Sequence, residues 1–193
     1  MSCLPASWCV SETRRVVMSS GGFTNSDLTC RGQIRYKYTC ATSSKLGNPV
    51  LIADALEHGA RLVAGGDRPK GLGTKGYYIS PTALADVPQT ARIMHDEPFA
   101  PVAPIASFAS FDEAIKLANA TPYGLASYLF TRSLKTANLA SEAIEAGMVG
   151  INELAIASAE MPFGGVKDSG MGREGGALGV RDYLEAKYIR TRL

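Results

Sequence analysis

The chain has 193 residues, enough for one ordinary domain with a real core. Hydrophobic residues make up 46% and charged residues 20%, a balance that excludes disorder throughout. The net charge of +2 offers no whole-molecule attraction for nucleic acid or an anionic membrane, and no apolar run approaches the ~20 residues a membrane span requires.

Residues 1–46 differ from the rest. They hold six Lys/Arg against two acids, and all four cysteines, Cys3, Cys9, Cys30 and Cys40, fall within the first forty positions. No secretory h-region precedes them, no C-x-x-C pair occurs, and His58 and His95 lie far downstream. The cysteines therefore read as reduced thiols in a cytoplasmic protein, with no metal site assigned. The Arg/Ser-rich, acid-poor start leaves a mitochondrial address as the alternative. This stretch has neither sustained period two nor period 3.6, so 1–46 is an unassigned, irregular leader with one short strand possible at 35–39. The organised part is 47–193.

From there local signals agree. Asn48 suits a helix cap, Pro49 the first turn, and Val50, Leu51, Ile52, Ala55 and Leu56 an apolar stripe that Gly59 stops. Arg61–Ala64 reads as a strand, 67–76 as a Gly/Lys loop, and Tyr77–Ile79 and Thr82–Leu84 as strand pieces. Val102–Phe108 predicts a strand. Ser110-Phe111-Asp112-Glu113 is an S-x-x-E capping box that opens a helix. Ser127–Phe130 is a strand. Leu134, Ala137, Ala140 and Ile144 share one helix face, with Gly147 ending that helix. Met148–Ile151 reads as a buried strand, Arg173–Glu185 as a helix, and Lys187–Leu193 as a final strand. Strands alternating with helices predict an α/β domain with a mainly parallel sheet.

Five blocks carry more than periodicity: Glu97-Pro98-Phe99-Ala100-Pro101-Val102; Ala118-Asn119 through Tyr123-Gly124-Leu125-Ala126; Val149-Gly150-Ile151-Asn152; Pro162 through Gly170; and Gly172-Arg173-Glu174. In order and spacing this set resembles the C-terminal part of the catalytic domain of the aldehyde dehydrogenase superfamily, over about 47–193. Ile151-Asn152-Glu153 with Glu160-Met161-Pro162-Phe163 is most similar to the succinate-semialdehyde dehydrogenase-like members.

The resemblance implies a portion of a three-layer α/β catalytic domain and the NAD- or NADP-dependent oxidation of an aldehyde, succinate semialdehyde among the candidates, to its acid. It implies that Glu97 hydrogen-bonds the nicotinamide ribose hydroxyls, since a carboxylate accepts from both, and that Phe99 packs near the nicotinamide ring. From the residues alone, Glu97 reads as an exposed turn acid and Phe99 as a core aromatic, and the family blocks on either side reverse that reading. Ala100 stands where the family has glycine. Phe163 and Ser158 are the implied substrate-pocket residues, Ser158 being equally a solvated loop serine. Asn152 orders a strand-to-loop turn, and Arg173 and Glu174 are expected in ion pairs. Gly170–Gly176 is not a phosphate loop, because neither G-x-x-x-x-G-K-[ST] nor a strand followed by G-x-G-x-x-G occurs.

Other family parts find no counterpart. No dinucleotide-binding domain, general-base glutamate, oxyanion asparagine or G-Q-x-C nucleophile can be assigned. Cys9, in Cys9-Val10-Ser11-Glu12-Thr13-Arg14, is the sole candidate nucleophile, without its Gly-Gln context. Three functions follow as expectations. The chain is part of a dehydrogenase that is inactive until joined by a complementary or full-length subunit. Alternatively it is a non-enzymatic relative that binds full-length subunits or self-associates as a homo-oligomer through its final strand. Or residues 1–46 form a thiol or metal module.

Overall fold

The computed structural model describes residues 7–11, 16–20, 39–40, 47–71 and 78–193. Cys3, Cys30, residues 35–38 of the possible early strand, Tyr77 and residues 72–76 of the Gly/Lys loop lie outside them. In chain order the elements begin with β1 (Ser7–Ser11), β2 (Val16–Ser20), β3 (Thr39–Cys40), α1 (Gly47–Glu57), β4 (Arg61–Ala64), β5 (Tyr78–Ile79) and β6 (Thr82–Ala85). A 3-10 turn (Arg92–Met94), β7 (Val102–Ser107), α2 (Phe111–Asn119), β8 (Tyr123–Gly124) and β9 (Ala126–Phe130) follow. The chain ends with α3 (Leu134–Ala143), β10 (Met148–Ile151), β11 (Val166–Lys167) and α4 (Gly176–Arg181).

One seven-stranded sheet has the order β10-β9-β1-β2-β7-β6-β4. The α/β class stands, but the sheet is evenly mixed rather than mainly parallel. β10, β9 and β1 run parallel, as do β6 and β7, whereas β1–β2, β2–β7 and β4–β6 are antiparallel. Connection length explains the difference. α3 gives β9–β10 the helical crossover that parallel strands need. The four-residue link between β1 and β2 closes only an antiparallel hairpin. That hairpin lies inside the stretch read as an irregular leader, and it sits in mid-sheet between β9 and β7. β9, next to it, is buried along its first four residues.

The core joins Leu51, Ile52 and Ala55 of α1 to Leu84, Ile93, Met94, Val102 and Leu129. Of the α1 stripe, Val50 and Leu56 turn outward at 49% and 38% exposure, so the buried face is narrower than the pattern suggested. Pro49 does lie in the first turn. Gly59, at φ 99°, ends the helix as a Schellman cap: the Gly59 N–H donates to Leu56 O (3.0 Å) and the Ala60 N–H to Ala55 O (2.9 Å).

Ser110 caps α2 by accepting from the Glu113 N–H at 3.2 Å. The reciprocal bond of the box lands one residue early, with the Glu113 carboxylate accepting from Ala109 N–H at 2.7 Å. Ser133 caps α3 through Thr136 N–H. Ala137, Ala140 and Ile144 are buried as expected, but Leu134 is 77% exposed. Gly147 does not end α3, which stops at Ala143 when Ile144 turns extended. Gly147 is required for another reason: a β-carbon there would collide with the backbone carbonyl of Gly164.

The C-terminal expectations change most. α4 spans only Gly176–Arg181; Gly172, Gly175 and Gly176 hold φ of 82°, 71° and 56°, outside the right-handed helical region, which delays its start. Lys187–Leu193 forms no strand. It meets no partner strand among the described residues, and an extended segment needs one to satisfy its amides and carbonyls. No helix among the described residues is long and apolar enough to cross a membrane.

Two substitutions test these assignments by urea unfolding of the chain. Ser110→Ala lowers stability by about 1 kcal/mol through loss of the cap. Gly147→Ala lowers it by about 1–3 kcal/mol, because one of two packed backbones must move. A neutral Gly147→Ala would refute the close approach.

Candidate active-site segment

Glu97 and Phe99 lie between the 3-10 turn and β7. The turn's own N-cap residue, Ala91, provides no side-chain cap. Asp54 of α1 substitutes, its carboxylate accepting from Arg92 N–H at 2.8 Å. Arg92 in turn pairs with Asp96 at 2.8 Å. Beyond this anchor the backbone folds through successive i→i+2 bonds: Phe99 N–H to Glu97 O (3.1 Å), Ala100 N–H to Pro98 O, and Val102 N–H to Ala100 O (2.8 Å).

Ala100 is 5% exposed and is not among the residues with positive φ, so its methyl group packs without backbone strain. Glu97 is half-buried and makes no side-chain hydrogen bond or ion pair among the described residues. Burial without a partner pushes its carboxyl above the usual value of 4.5. Phe99 is 38% exposed beside it in the chain.

Three motifs converge at the other side of the sheet. Phe163 exchanges both backbone hydrogen bonds with Glu174 at 2.7 Å. Its half-buried ring packs on the cluster of Leu125, Ala126 and Tyr128. β11 pairs with β8, and Ser169 Oγ accepts from Gly124 N–H at 3.0 Å. Arg173 does not join an ion pair among the described residues. Its Nη1 donates to the carbonyls of Gly165 (2.8 Å) and Gly172 (2.6 Å), and its N–H donates to the Asp182 carboxylate. Asn152, at φ 54°, behaves as expected of a turn-ordering residue. Its side chain accepts from Thr131 N–H (3.0 Å) and donates to Thr131 O (2.8 Å).

A cluster that sequence reading missed lies here. Asn119 donates to Ala143 O (2.8 Å) and accepts from Glu145 N–H (2.9 Å), so one amide ties the end of α2 to the end of α3. Lys167 Nζ pairs with Glu145 at 2.5 Å and donates to the carbonyls of Asn119 (3.0 Å) and Thr121 (3.4 Å). The signal available was the asparagine at a predicted helix end, where a side-chain amide bridges free backbone groups.

Ser158 is exposed, two residues before Glu160 in the same loop. Glu160 is held below its ordinary value by its own backbone amide first and by Ser158 second. Glu153 is lowered similarly, by the Ala155 and then the Leu154 amide, at 2.8 and 2.7 Å. The 153–160 loop thus carries two acids that stay ionised and no base.

Strand direction relates these parts. β7 and β9 run the same way, so the Glu97–Phe99 segment and the Phe163 packing site on Leu125–Ala126 share the amino-terminal edge of the sheet. β1 and β2 intervene, which separates the two strands by roughly 14 Å. The structure therefore brings Phe99 and Phe163 to one edge, not into contact. An apolar cavity of about 280 Å³, bounded by Phe108, Phe111, Ile115, Leu129 and Ile144, lies toward the opposite, carboxyl edge, away from this segment. Cys9 is the middle residue of β1, in register with Met18 and Tyr128. Among the described residues, no three His, Cys, Asp or Glu side chains gather to hold a metal ion.

The model of the aldehyde dehydrogenase family matches residues 49–189. The chain is 51% identical over 138 residues to a 3-sulfolactaldehyde dehydrogenase of Pseudomonas putida, covering 72% of this chain and 28% of that protein. It is 48% identical over 139 residues to a succinate-semialdehyde dehydrogenase of Paenarthrobacter nicotinovorans, covering 72% and 30%. Among solved structures, the succinate-semialdehyde dehydrogenase from Burkholderia pseudomallei superposes with a TM-score of 0.66 at 45% identity, over 70% of this chain and 27% of that one. The chain thus spans less than a third of the length of these relatives. With the family's blocks in order on one folded α/β segment, this chain belongs to the aldehyde dehydrogenase family.

Proposed function

We propose that residues 47–193 form the C-terminal part of the catalytic region of an NAD(P)-dependent aldehyde dehydrogenase. In the overall reaction an aldehyde, water and the oxidised dinucleotide give the carboxylic acid, the reduced dinucleotide and a proton. The observation that carries the reading is Glu97: a half-buried carboxylate without a partner among the described residues, beside a partly exposed Phe99, at the sheet edge that also bears Phe163. An acceptor of this kind fits the two hydroxyls of a nicotinamide ribose. The bound dinucleotide supplies the hydride acceptor, and the choice between NAD and NADP lies with residues that recognise its other end.

Each residue then has a task. Glu97 orients the ribose by accepting two hydrogen bonds. Phe99 bounds the ring's position. Phe163 and the 153–160 loop shape the aldehyde pocket, where the exposed Ser158 hydroxyl can bond a polar substrate group. An activated thiol is the nucleophile the chemistry calls for. Cys9 is the candidate in this chain, and a complementary dehydrogenase polypeptide is the alternative source. The substrate we favour is a small aldehyde with a second anionic group, such as succinate semialdehyde, in line with the sulfolactaldehyde, succinate-semialdehyde and glutarate-semialdehyde dehydrogenases among the relatives; Glu153 and Glu160 repel an anion, so the cation that binds it lies outside the 153–160 loop. A second reading, association with full-length subunits or self-association without catalysis, is favoured by the exposed Tyr183, Leu184, Tyr188, Ile189 and Leu193.

The test is formation of reduced dinucleotide from succinate semialdehyde and a small aldehyde panel. The chain is assayed alone and mixed with the N-terminal portion of a succinate-semialdehyde dehydrogenase. Turnover is expected only in the mixture, with Glu97→Gln raising the cofactor KM about tenfold or more through loss of charge-assisted hydrogen bonds. No turnover in the mixture refutes the reading. Turnover by the chain alone that Cys9→Ser abolishes makes Cys9 the nucleophile.

Glu97 also predicts a pH effect. Its carboxyl is raised on folding, so the folded state binds the proton more tightly than the unfolded state. Its contribution to stability is greatest below about 4.5 and is lost as pH rises through the higher folded value. Glu97→Gln therefore flattens the stability profile in that window, measured by urea unfolding across the acid range. An unchanged profile refutes it.

A further inference from the structure

Among the described residues, three other than glycine have positive φ: Asp86, Asn152 and Lys167, at 57°, 54° and 55°. Aspartate and asparagine tolerate the left-handed region through local side-chain hydrogen bonds, but lysine has no such preference. A strained lysine persists only where its surroundings over-determine it.

At Lys167 they do. An ammonium has three donors, and three acceptors surround Nζ: the Glu145 carboxylate and the carbonyls of Asn119 and Thr121. The Asn119 carbonyl is at the C-terminal end of α2, where a cation is favoured by the helix dipole. The Asn119 side chain meanwhile fixes the end of α3 and the Glu145 amide. The clamp thus reaches two helix ends and the turn before β8 through one side chain.

The clamp's position matters because Lys167 closes the segment that carries Phe163. That segment is pinned upstream by the Phe163–Glu174 bridge and downstream by the two-residue β11–β8 pairing. Two residues of ladder are a weak hold, and Lys167 reinforces them alongside the Arg173–Gly165 and Gly124–Ser169 bonds.

We infer that Lys167 is a positioning residue, which fixes the Phe163–Gly165 segment against β9 through its bonds to Glu145, Asn119 and Thr121 and so sets affinity for the aldehyde. The effect on aldehyde affinity rests on the function proposed above, whereas the clamp itself does not.

Amide hydrogen exchange and melting of the full chain, with Lys167→Gly and Lys167→Met, separate the two. Glycine adopts φ near 55° freely, so Lys167→Gly relieves strain while removing the clamp. Its Tm stays near that of the unaltered chain, yet the Phe163 and Glu174 amides exchange about tenfold faster. Lys167→Met keeps the strain, loosens the same amides and lowers Tm. In the reconstituted dehydrogenase, both variants and Glu145→Gln raise the aldehyde KM several-fold and leave kcat within about twofold. Unaltered exchange at Phe163 and Glu174 in both Lys167 variants overturns the clamp. Altered exchange with an unaltered KM overturns its link to the aldehyde. If the unsubstituted mixture shows no turnover, the proposed function and the link to the aldehyde fall together, and the exchange data still decide the clamp.

Discussion

The constraint on which this structure depends is the approach of one bare backbone to another. Gly147 lies against the carbonyl of Gly164, Gly164 against that of Gly172, and Gly124 against that of Glu145. No side chain fits at any of these crossings. They pack the Pro162–Gly170 segment against the starts of β9 and β10, and only at that separation do the Phe163 ring, the Arg173 guanidinium and the Lys167 ammonium reach their partners. The polar contacts are a consequence of the packing. The Arg173 guanidinium bonds two backbone carbonyls, the part-buried one of Gly165 and the exposed one of Gly172, and so ties two close-packed loops together.

The same economy holds across the sheet. α1 contributes Asp54 to the first amide of the 3-10 turn, and that turn launches the tight bends at Glu97–Val102. Three of the backbone amides in those bends are bonded locally and the Pro101 carbonyl accepts from Thr82 N–H, and none of these bonds uses the Glu97 carboxylate. A side chain spared by the fold in this way is free for a ligand. It also carries the cost of partial burial, which is why its proton affinity rises. Both parts of the segment lie at the amino-terminal ends of their strands, so the mid-sheet hairpin β1–β2 sets the span between them.

Much of this was legible in the sequence, and the failures have physical causes. The capping box at Ser110–Glu113, the stop at Gly59 and the strands β7 and β9 depend on neighbours within a few residues, and they form where local chemistry puts them. The α/β class was legible in the alternation of strands and helices, and the family blocks marked residues such as Gly124 and Gly164 that sit at backbone crossings. The β1–β2 hairpin was not legible, because a five-residue strand in mid-sheet needs no periodicity of its own when strands on both sides pair with it. The helix expected over 173–185 shrank to six residues, since apolar spacing says nothing about glycines held at positive φ. Leu134 and Gly147 were assigned by pattern to a face and a cap, and tertiary packing gave each a different place. For Glu97, sequence supplied the residue type and the family role, but its lack of a partner is a property of the surrounding loop and could be seen only in three dimensions.

One feature at the far edge bears on how the molecule behaves in concentrated solution. β4 ends the sheet, exposed along its whole length, with Leu62 and Val63 showing. Such an edge templates runaway association when it is long and flat. Here it is four residues long. Arg61 opens it with a charge held by Asp86, and Gly65 and Gly66 close it in conformations that cannot continue a strand. An incoming chain would find few hydrogen bonds there, so brevity and punctuation blunt this edge as a covering helix does elsewhere.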